Sequence, residues 1–96
     1  MERRKYKLQL VINSKPIDRV IIDPHYEEKH SASINDEIIL ELVKTLNGNL
    51  YEADAVKRPY SYFVTDKIEL RGKFYKLIWM LEDTELYIGV INAYRR

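Results

Sequence analysis

Cysteine is absent from this chain. Its absence excludes a disulfide framework and any zinc site built on thiolates, and it favours a reducing compartment. Long apolar runs are also missing, since the run around Ile38 to Leu40 falls far short of the ~20 residues that span a bilayer. The basic start MERRKYKLQL has no long apolar region and no small-residue cleavage site, so we expect no signal peptide. The sequence therefore predicts a soluble, cytoplasmic protein with no membrane partner.

A strong excess of charge of one sign is lacking as well. The 16 Lys and Arg residues nearly balance the 15 Asp and Glu residues, which leaves a net charge of +1 and argues against a generic, strongly cationic nucleic-acid binder. The charge is nevertheless uneven: it sums to +4 over residues 1–22, −6 over residues 23–56 and +3 over residues 57–96. Two interpretations stay open, a basic surface for a polyanion built by the two ends, or ordinary solvated faces.

The overall composition is that of a folded protein. Hydrophobic residues make up 46% of the 96 positions and charged residues 32%, close to the averages of globular domains. A chain of this length buries one core without disulfide or metal staples. No repeat or linker interrupts it, so we expect a single domain over residues 1–96.

The first 22 residues predict a β-hairpin. From Lys5 to Ile12 the even-numbered positions are aromatic or aliphatic, which is the period of a half-buried strand. Residues 13–16 have turn chemistry, and a second extended run from Ile17 to Ile22 is rich in β-branched residues.

Two helices are predicted next. Asp23 is a good N-cap and Pro24 a good first residue for a short helix that ends near His30. A longer helix begins at Asp36, because apolar residues recur at helical spacing from there to residue 46, and Gly48 terminates it.

The last third predicts three strands: 60–70, 74–81 and 85–93, joined by short polar turns that favour an antiparallel meander. Residues 49–59 either cross the surface or add an edge strand. The predicted fold class is therefore α+β, with two helices packed on a twisted antiparallel sheet in the order ββααβββ.

A resemblance to a toxin family is carried by the last third, RGKFYKLIWMLEDTELYIGVINAYRR. It resembles the end of RelE/ParE-type toxins of bacterial type II toxin–antitoxin modules, in which a Y-x-L-x-W strand, an acidic turn and an apolar strand precede a terminal arginine. The middle, DPHYEEKHSASINDEIILELVKTLNG, resembles the BrnT-like branch, with its D-P start, K-H pair and helix. The two segments cover most of residues 23–96.

This resemblance implies an mRNA interferase, an endoribonuclease that is neutralised by an antitoxin protein. Its substrate would be RNA, either free or bound to the ribosome. The implied chemistry uses neither a metal nor another cofactor: a base removes the proton of a ribose 2′-OH, that oxygen attacks the adjacent phosphate, and cations hold the charge that develops.

The same resemblance implies a set of cationic site residues. Arg71 and Lys73 stand at the entry to a strand where such toxins bind phosphate, and Arg95 stands with Tyr94 after the last strand, where they place a catalytic arginine and an aromatic residue. Each has a plainer interpretation. The segment from Arg71 to Lys73 is also an ordinary exposed hairpin turn, and residues 94–96 are also a chain end.

A histidine is the implied base. His30 is the preferred candidate, because imidazole accepts and returns protons near neutrality, and Lys29 beside it is a further phosphate contact. His25 is the other candidate, and a capping or surface role is open for both. Since residues five apart on a helix are displaced by about 140°, the pair lacks the spacing of a zinc-binding helix, and we expect no metal site.

Tyrosine is abundant, and two of the eight lie in the segment KRPYSY. There Lys57 and Arg58 adjoin Tyr60 and Tyr62, an alternation suited to holding phosphates and stacking bases of RNA. Tyrosine is also simply a good strand former with one wet edge. Trp79 is expected in the core.

Another class of function stays open beside the nuclease. The chain also fits a non-catalytic protein- or nucleic-acid-binding module of the same small α+β fold, for example one that uses the edge of the strand from Lys5 to Ile12.

Overall fold

Most of this protein is sheet. The computed structural model describes residues 2–96, and six strands form one sheet: β1 (Arg4–Ile12), β2 (Lys15–Ile22), β3 (Ala55–Lys57), β4 (Tyr60–Leu70), β5 (Lys73–Glu82) and β6 (Tyr87–Arg95). Helical structure is limited to a 3₁₀ turn (Pro24–Tyr26) and two helices, α1 (Glu27–His30) and α2 (Asp36–Lys44). No helix within residues 2–96 combines the length and apolarity needed to cross a membrane.

The strand order explains the path of the chain. It is β1-β2-β6-β5-β4-β3, and every neighbouring pair is antiparallel except β2 and β6, which are parallel. After β2 the chain crosses the sheet through the helices, enters the far edge at β3 and returns strand by strand to β6. Such a crossover is what a parallel pair requires.

The predicted fold class is therefore wrong in two respects. The sheet is mixed rather than antiparallel, and the order contains a further strand, Ala55–Lys57, at its edge. All three residues of that strand are exposed, so its sequence carries no alternation to identify it. The parallel pairing joins residues about seventy positions apart, for example Val20 and Ile88. The periodicity of a short segment cannot predict a contact between such distant residues.

The helical layer is also smaller than predicted. The segment from Pro24 to His30 divides into a 3₁₀ turn and a single α-turn without a buried residue. The second helix ends at Lys44, because the amides of Thr45 and Leu46 donate to carbonyls three residues back and tighten the last turn. The predicted architecture, in which two helices cover an antiparallel sheet, is therefore not observed.

Individual strands agree better with their sequence signals. The β1–β2 hairpin is confirmed, as is the antiparallel meander of β4, β5 and β6. The strand β6 begins two residues later than predicted and runs to Arg95.

The core lies between α2 and one face of the sheet. Ile39, Leu42 and Val43 of α2 are fully buried there. Trp79 is confirmed as a core residue: it is completely buried, and its ring stacks on that of Phe63 at 4.1 Å between centroids. We call this side of the sheet the covered face.

The helix α2 does not cover the other side of the sheet, which we call the open face; at one end of that face, His30 of α1 stacks on Tyr94. Successive residues of a strand point to opposite sides of the sheet, so the residues that alternate with the buried core residues lie on the open face. Its large side chains remain half-buried or exposed, and the set comprises Lys5, Lys7, Val11, Arg19, Ile21, Tyr60, Tyr62, Val64, Phe74, Lys76, Ile78, Met80, Tyr87, Ile91 and Tyr94.

Charge is divided between the two layers. The acidic middle of the sequence supplies the helices, with Glu27 and Glu28 in α1 and Asp36, Glu37 and Glu41 in α2. The two basic ends supply the sheet, and four cations, Lys5, Lys7, Arg19 and Lys76, stand on its open face. The net charge is near zero because a negatively charged helical layer offsets a positively charged sheet.

Candidate functional site

A cavity at one end of the sheet contains two of the predicted site residues. Lys73 is the first residue of β5 and Arg95 the last but one of the chain, at the end of β6. Tyr75 pairs with Arg95 across the strands, and Lys73 lies two residues before Tyr75 and hence on the same side of β5. These side chains form one wall of a cavity of about 280 Å³, and the turn 31–35 between α1 and α2 forms the other.

The charge of this cavity is entirely positive. Among its described lining residues, Lys73 and Arg95 are the only charged ones, and neither makes an ion pair with a carboxylate in residues 2–96. The remaining polar groups come from Ser31, Ser33 and Asn35. Two uncompensated cations on strands in a polar cavity are suited to an anion such as phosphate.

The turn that closes the cavity is held by local hydrogen bonds. The amides of Ser33 and Ile34 both donate to the His30 carbonyl, at 3.1 and 2.9 Å. The Asn35 side chain caps α2 by accepting from the Ile38 amide at 2.8 Å. Because Ile34 is buried, this wall is anchored to the core.

The predicted base is not among the lining residues of this cavity but lies at the same end of the sheet, against Tyr94 on the open face. The imidazole of His30 stacks on the Tyr94 ring with centroids 5.1 Å apart and planes inclined by 26°. Lys76, the cross-strand partner of Tyr94, holds its Nζ 5.7 Å from the centroid of that ring. Since His30 immediately precedes the turn and Tyr94 precedes Arg95, the structure gathers His30, Lys73, Tyr94 and Arg95 around one end of the sheet.

Arg71 takes a different position. It occupies the turn between β4 and β5, and its Nη2 lies 2.7 Å from Oε2 of Glu41 on α2. Its side chain is 70% exposed. The hairpin-turn interpretation therefore describes its contacts, although Lys73, two residues later, faces the cavity.

The remaining predicted residues lie elsewhere. Lys29 is exposed on α1. Lys57, Arg58, Tyr60 and Tyr62 lie toward the opposite end of the sheet, since Tyr60 pairs with Glu82 at the end of β5 that is farthest from Lys73. There the Arg58 guanidinium contacts Asp83 at 2.8 Å.

His25, the alternative base, is engaged on the surface. Its Nδ1 lies 2.9 Å from Oε2 of Glu28, and its amide donates to Oδ1 of Asp23 at 2.9 Å. Asp23 thus caps the 3₁₀ turn as predicted.

Sequence reasoning missed one polar cluster that supports the cavity. Oδ2 of Asp36, the first residue of α2, accepts from Arg4 Nε and from the Tyr6 hydroxyl, each at 2.5 Å. Its Oδ1 accepts from Arg4 Nη2 and from the Tyr26 hydroxyl, each at 2.8 Å. The cluster ties the start of α2, and so the turn before it, to β1.

The cluster also shifts the protonation equilibria of its members. Hydrogen bonds from Arg4, followed by those from Tyr6 and Tyr26, lower the pKa of Asp36 to about 2 despite partial burial. Burial, together with the hydrogen bond to Asp36, raises the pKa of Tyr26 to about 12. Asp36 is therefore ionised and both tyrosines are neutral across the physiological range.

No cluster of three or more His, Asp or Glu side chains placed to hold a metal ion occurs in residues 2–96. No family model matches this chain, and comparisons with curated proteins and with solved structures give no significant match.

Proposed function

We propose that this protein is a metal-independent endoribonuclease of the RelE/ParE toxin type, with a BrnT-like arrangement, that acts in the cytoplasm and is neutralised by an antitoxin protein. One observation carries the proposal. Lys73 and Arg95 line a polar cavity without any acidic lining residue among residues 2–96, and the His30–Tyr94 stack lies at the same end of the sheet.

The residues have complementary roles in RNA cleavage. His30 accepts the proton of a ribose 2′-OH, and the freed oxygen attacks the adjacent phosphorus. Lys73 and Arg95 hold the non-bridging oxygens, whose negative charge increases in the pentacovalent transition state. The bond to the 5′-oxygen then breaks, and that oxygen takes up the proton that His30 removed from the 2′-OH, which leaves the imidazole neutral for the next turnover. The products are a 2′,3′-cyclic phosphate and a 5′-hydroxyl.

The distribution of charge supports an RNA substrate despite the net charge of +1. Association with a polyanion depends on the local potential of a surface rather than on the total charge. The acids of α1 and α2 lie in the helical layer, whereas Lys5, Lys7 and Lys76 are on the open face. RNA that approaches the open face meets these cations together with Glu69 and Glu82, and it reaches the cavity of Lys73 and Arg95, on the covered side, around the end of the sheet.

A second candidate is an RNA-binding module without catalysis. The open face favours it, because exposed aromatic rings beside cations suffice to bind single strands. Turnover therefore has to be measured separately from affinity.

The test is cleavage of a labelled mRNA in a bacterial cell-free translation extract, which offers both free and ribosome-bound RNA, with the new ends mapped by primer extension. We expect wild-type protein to leave 2′,3′-cyclic phosphate ends. Lys73→Ala and Arg95→Ala should each slow cleavage by about 100-fold or more, as loss of one transition-state donor does. His30→Ala should slow it by about 100- to 10,000-fold.

Arg71→Ala is the matched control, because it removes a cation from the same hairpin that is already paired with Glu41. It should retain cleavage within a few-fold. An Arg71→Ala loss as large as that of Lys73→Ala would move the site away from the cavity. Bound but uncleaved RNA with wild-type protein would favour the second candidate.

A further inference from the structure

A groove crosses the open face at the end opposite the cavity. Tyr62 of β4, Met80 of β5 and Gly89 of β6 are successive cross-strand partners, and they form a row across three strands. Tyr60 and Tyr87 stand beside this row, and together these side chains line a depression of about 300 Å³. Its size falls at the lower end of the range of small-molecule sites.

Gly89 keeps the floor of the groove low. A Cβ added there would lie 2.9 Å from Cγ of Met80 and 3.4 Å from Cε2 of Tyr87. Without it, the Met80 and Tyr87 side chains lie close against the strand. Gly89 therefore keeps the groove open, because a Cβ at this position would displace the flexible Met80 side chain into the groove.

The aromatic walls of the groove are held in place. The Tyr87 hydroxyl donates to Oε1 of Glu82 at 2.8 Å, and burial, with this hydrogen bond, raises the pKa of Tyr87 to about 12. The Tyr60 and Tyr62 rings lie 6.3 Å apart and are inclined by 45°. Rings oriented beforehand lose little freedom when a planar ligand stacks on them.

The rim of the groove is polar, with one basic and one acidic residue in its lining. Arg3 and Asp23 face each other across it at 3.7 Å, and their side chains are 69% and 35% exposed, so the pair is open to exchange with a ligand. Lys57 is the exposed cross-strand partner of Tyr60, and Arg19, which is half-buried and pairs with Asp18 at 2.9 Å, is that of Tyr87. Cations flank the tyrosines on both sides, while Glu82 is already engaged by Tyr87.

We infer that this groove binds a nucleobase of single-stranded RNA, which stacks on Tyr60, Tyr62 and Tyr87 while the flanking cations hold the neighbouring phosphates. Asp23 accepts hydrogen bonds from amino or ring N–H groups of the base, and Arg3 donates to its carbonyl oxygens. An apolar protein segment would suit an aliphatic groove without cations, whereas these rings with polar tips suit a base.

The inference rests on the proposed function and specifies its substrate as unpaired RNA. Met80 is seven residues from Lys73 along β5, roughly 23 Å at 3.3 Å per residue. Because the groove lies on the open face and the cavity on the covered side, a strand that occupies both would pass around the end of the sheet, which places the stacked base several nucleotides from the cleaved bond. The groove would then select the RNA while the cavity performs the cleavage.

Binding is tested with a short single-stranded RNA that carries 2′-fluorine in place of the 2′-hydroxyls and one 2-aminopurine. Fluorine prevents cleavage, anisotropy reports affinity, and quenching of 2-aminopurine reports stacking. We expect Tyr62→Leu and Tyr60→Leu to weaken binding by about five- to one-hundred-fold and to relieve quenching. Gly89→Ala, which pushes Met80 into the groove, should weaken binding while every ring remains.

Tyr62→Phe and Tyr60→Phe are the matched controls, because each keeps the ring and loses only the hydroxyl. They should bind and quench like wild type, and thermal melting verifies that all variants fold. Leu variants with wild-type affinity and quenching would overturn the inference, as would wild-type protein that fails to quench. Quenching without any mRNA cleavage would instead contradict the nuclease proposal alone, and cleavage without quenching would contradict the groove alone.

Discussion

Tyrosine has different roles on the covered face and on the open face of the sheet. On the covered face, Tyr75 is buried and Tyr6 donates to Asp36. On the open face, Tyr60 and Tyr62 are half-buried and Lys57 is the cross-strand partner of Tyr60, whereas the Tyr94 ring is stacked by His30. The abundance of tyrosine in a sequence is therefore not informative by itself. Burial and polar partners decide which rings hold the fold together and which are free to meet a ligand.

The largest expected contrast between the faces is in stability. Trp79→Ala on the covered face should cost about 3 to 5 kcal/mol of unfolding free energy, because it removes a completely buried ring and leaves a cavity. Phe74→Ala on the open face, where the side chain is 47% exposed, should cost about 0.5 kcal/mol or less. Urea denaturation measures both, and similar costs would show that the open face is covered in solution.

The Asp36 cluster should give the next largest effect. Arg4→Ala leaves the Asp36 carboxylate, only 16% exposed, without its charged partner, and should cost about 2 kcal/mol. Arg3→Ala, which breaks an exposed contact at 3.7 Å, should cost close to nothing. Equal losses in urea denaturation would mean that the cluster does not fasten α2 to β1.

Acid should weaken the same cluster. The pKa of Asp36 falls from its ordinary 3.8 to about 2 on folding, so its contribution is fully present above about pH 4 and is lost as pH falls through 2. Allowing for solvent screening, the contribution is about 1 to 2 kcal/mol. Asp36→Asn should be less stable at pH 7 and should lose less further stability between pH 4 and pH 2. Parallel stability curves for the two proteins would contradict this.

The smallest expected effect concerns surface charge. Lys76→Ala removes a cation from the open face and should lower RNA affinity several-fold, with the slope of log affinity against log salt reduced by about one. Lys44→Ala removes an exposed cation at the end of α2 and should change neither quantity. An equal response to both substitutions would indicate binding by overall charge, without preference for the open face.

Local sequence signals predicted the strands that have strong alternation, and they failed where a contact joins distant segments. The β1–β2 hairpin follows from its alternation and turn residues. The parallel pairing of β2 with β6 and the exposed strand Ala55–Lys57 have no local signature. Because those two features define the sheet as mixed, the predicted fold class was wrong even though most strands were located correctly.

The candidate site was predictable to a similar extent. The resemblance to toxins pointed to Lys73, Arg95 and His30, and the fold brings the two cations into one cavity, with His30 at the same end of the sheet. Arg71 could not be separated from Lys73 by sequence, because its pairing with Glu41 depends on how α2 lies over the sheet. The contact of Arg4 with Asp36, thirty-two residues apart, likewise depends on that packing.

The most direct measurement is the rate of mRNA cleavage in the cell-free extract for wild-type, Arg95→Ala and Arg71→Ala proteins at equal concentration. We expect wild-type and Arg71→Ala proteins to produce cyclic-phosphate ends at similar rates, and Arg95→Ala to lower the rate by about 100-fold. An unchanged rate for Arg95→Ala, or intact mRNA with folded wild-type protein, would contradict the claim that this cavity cleaves RNA.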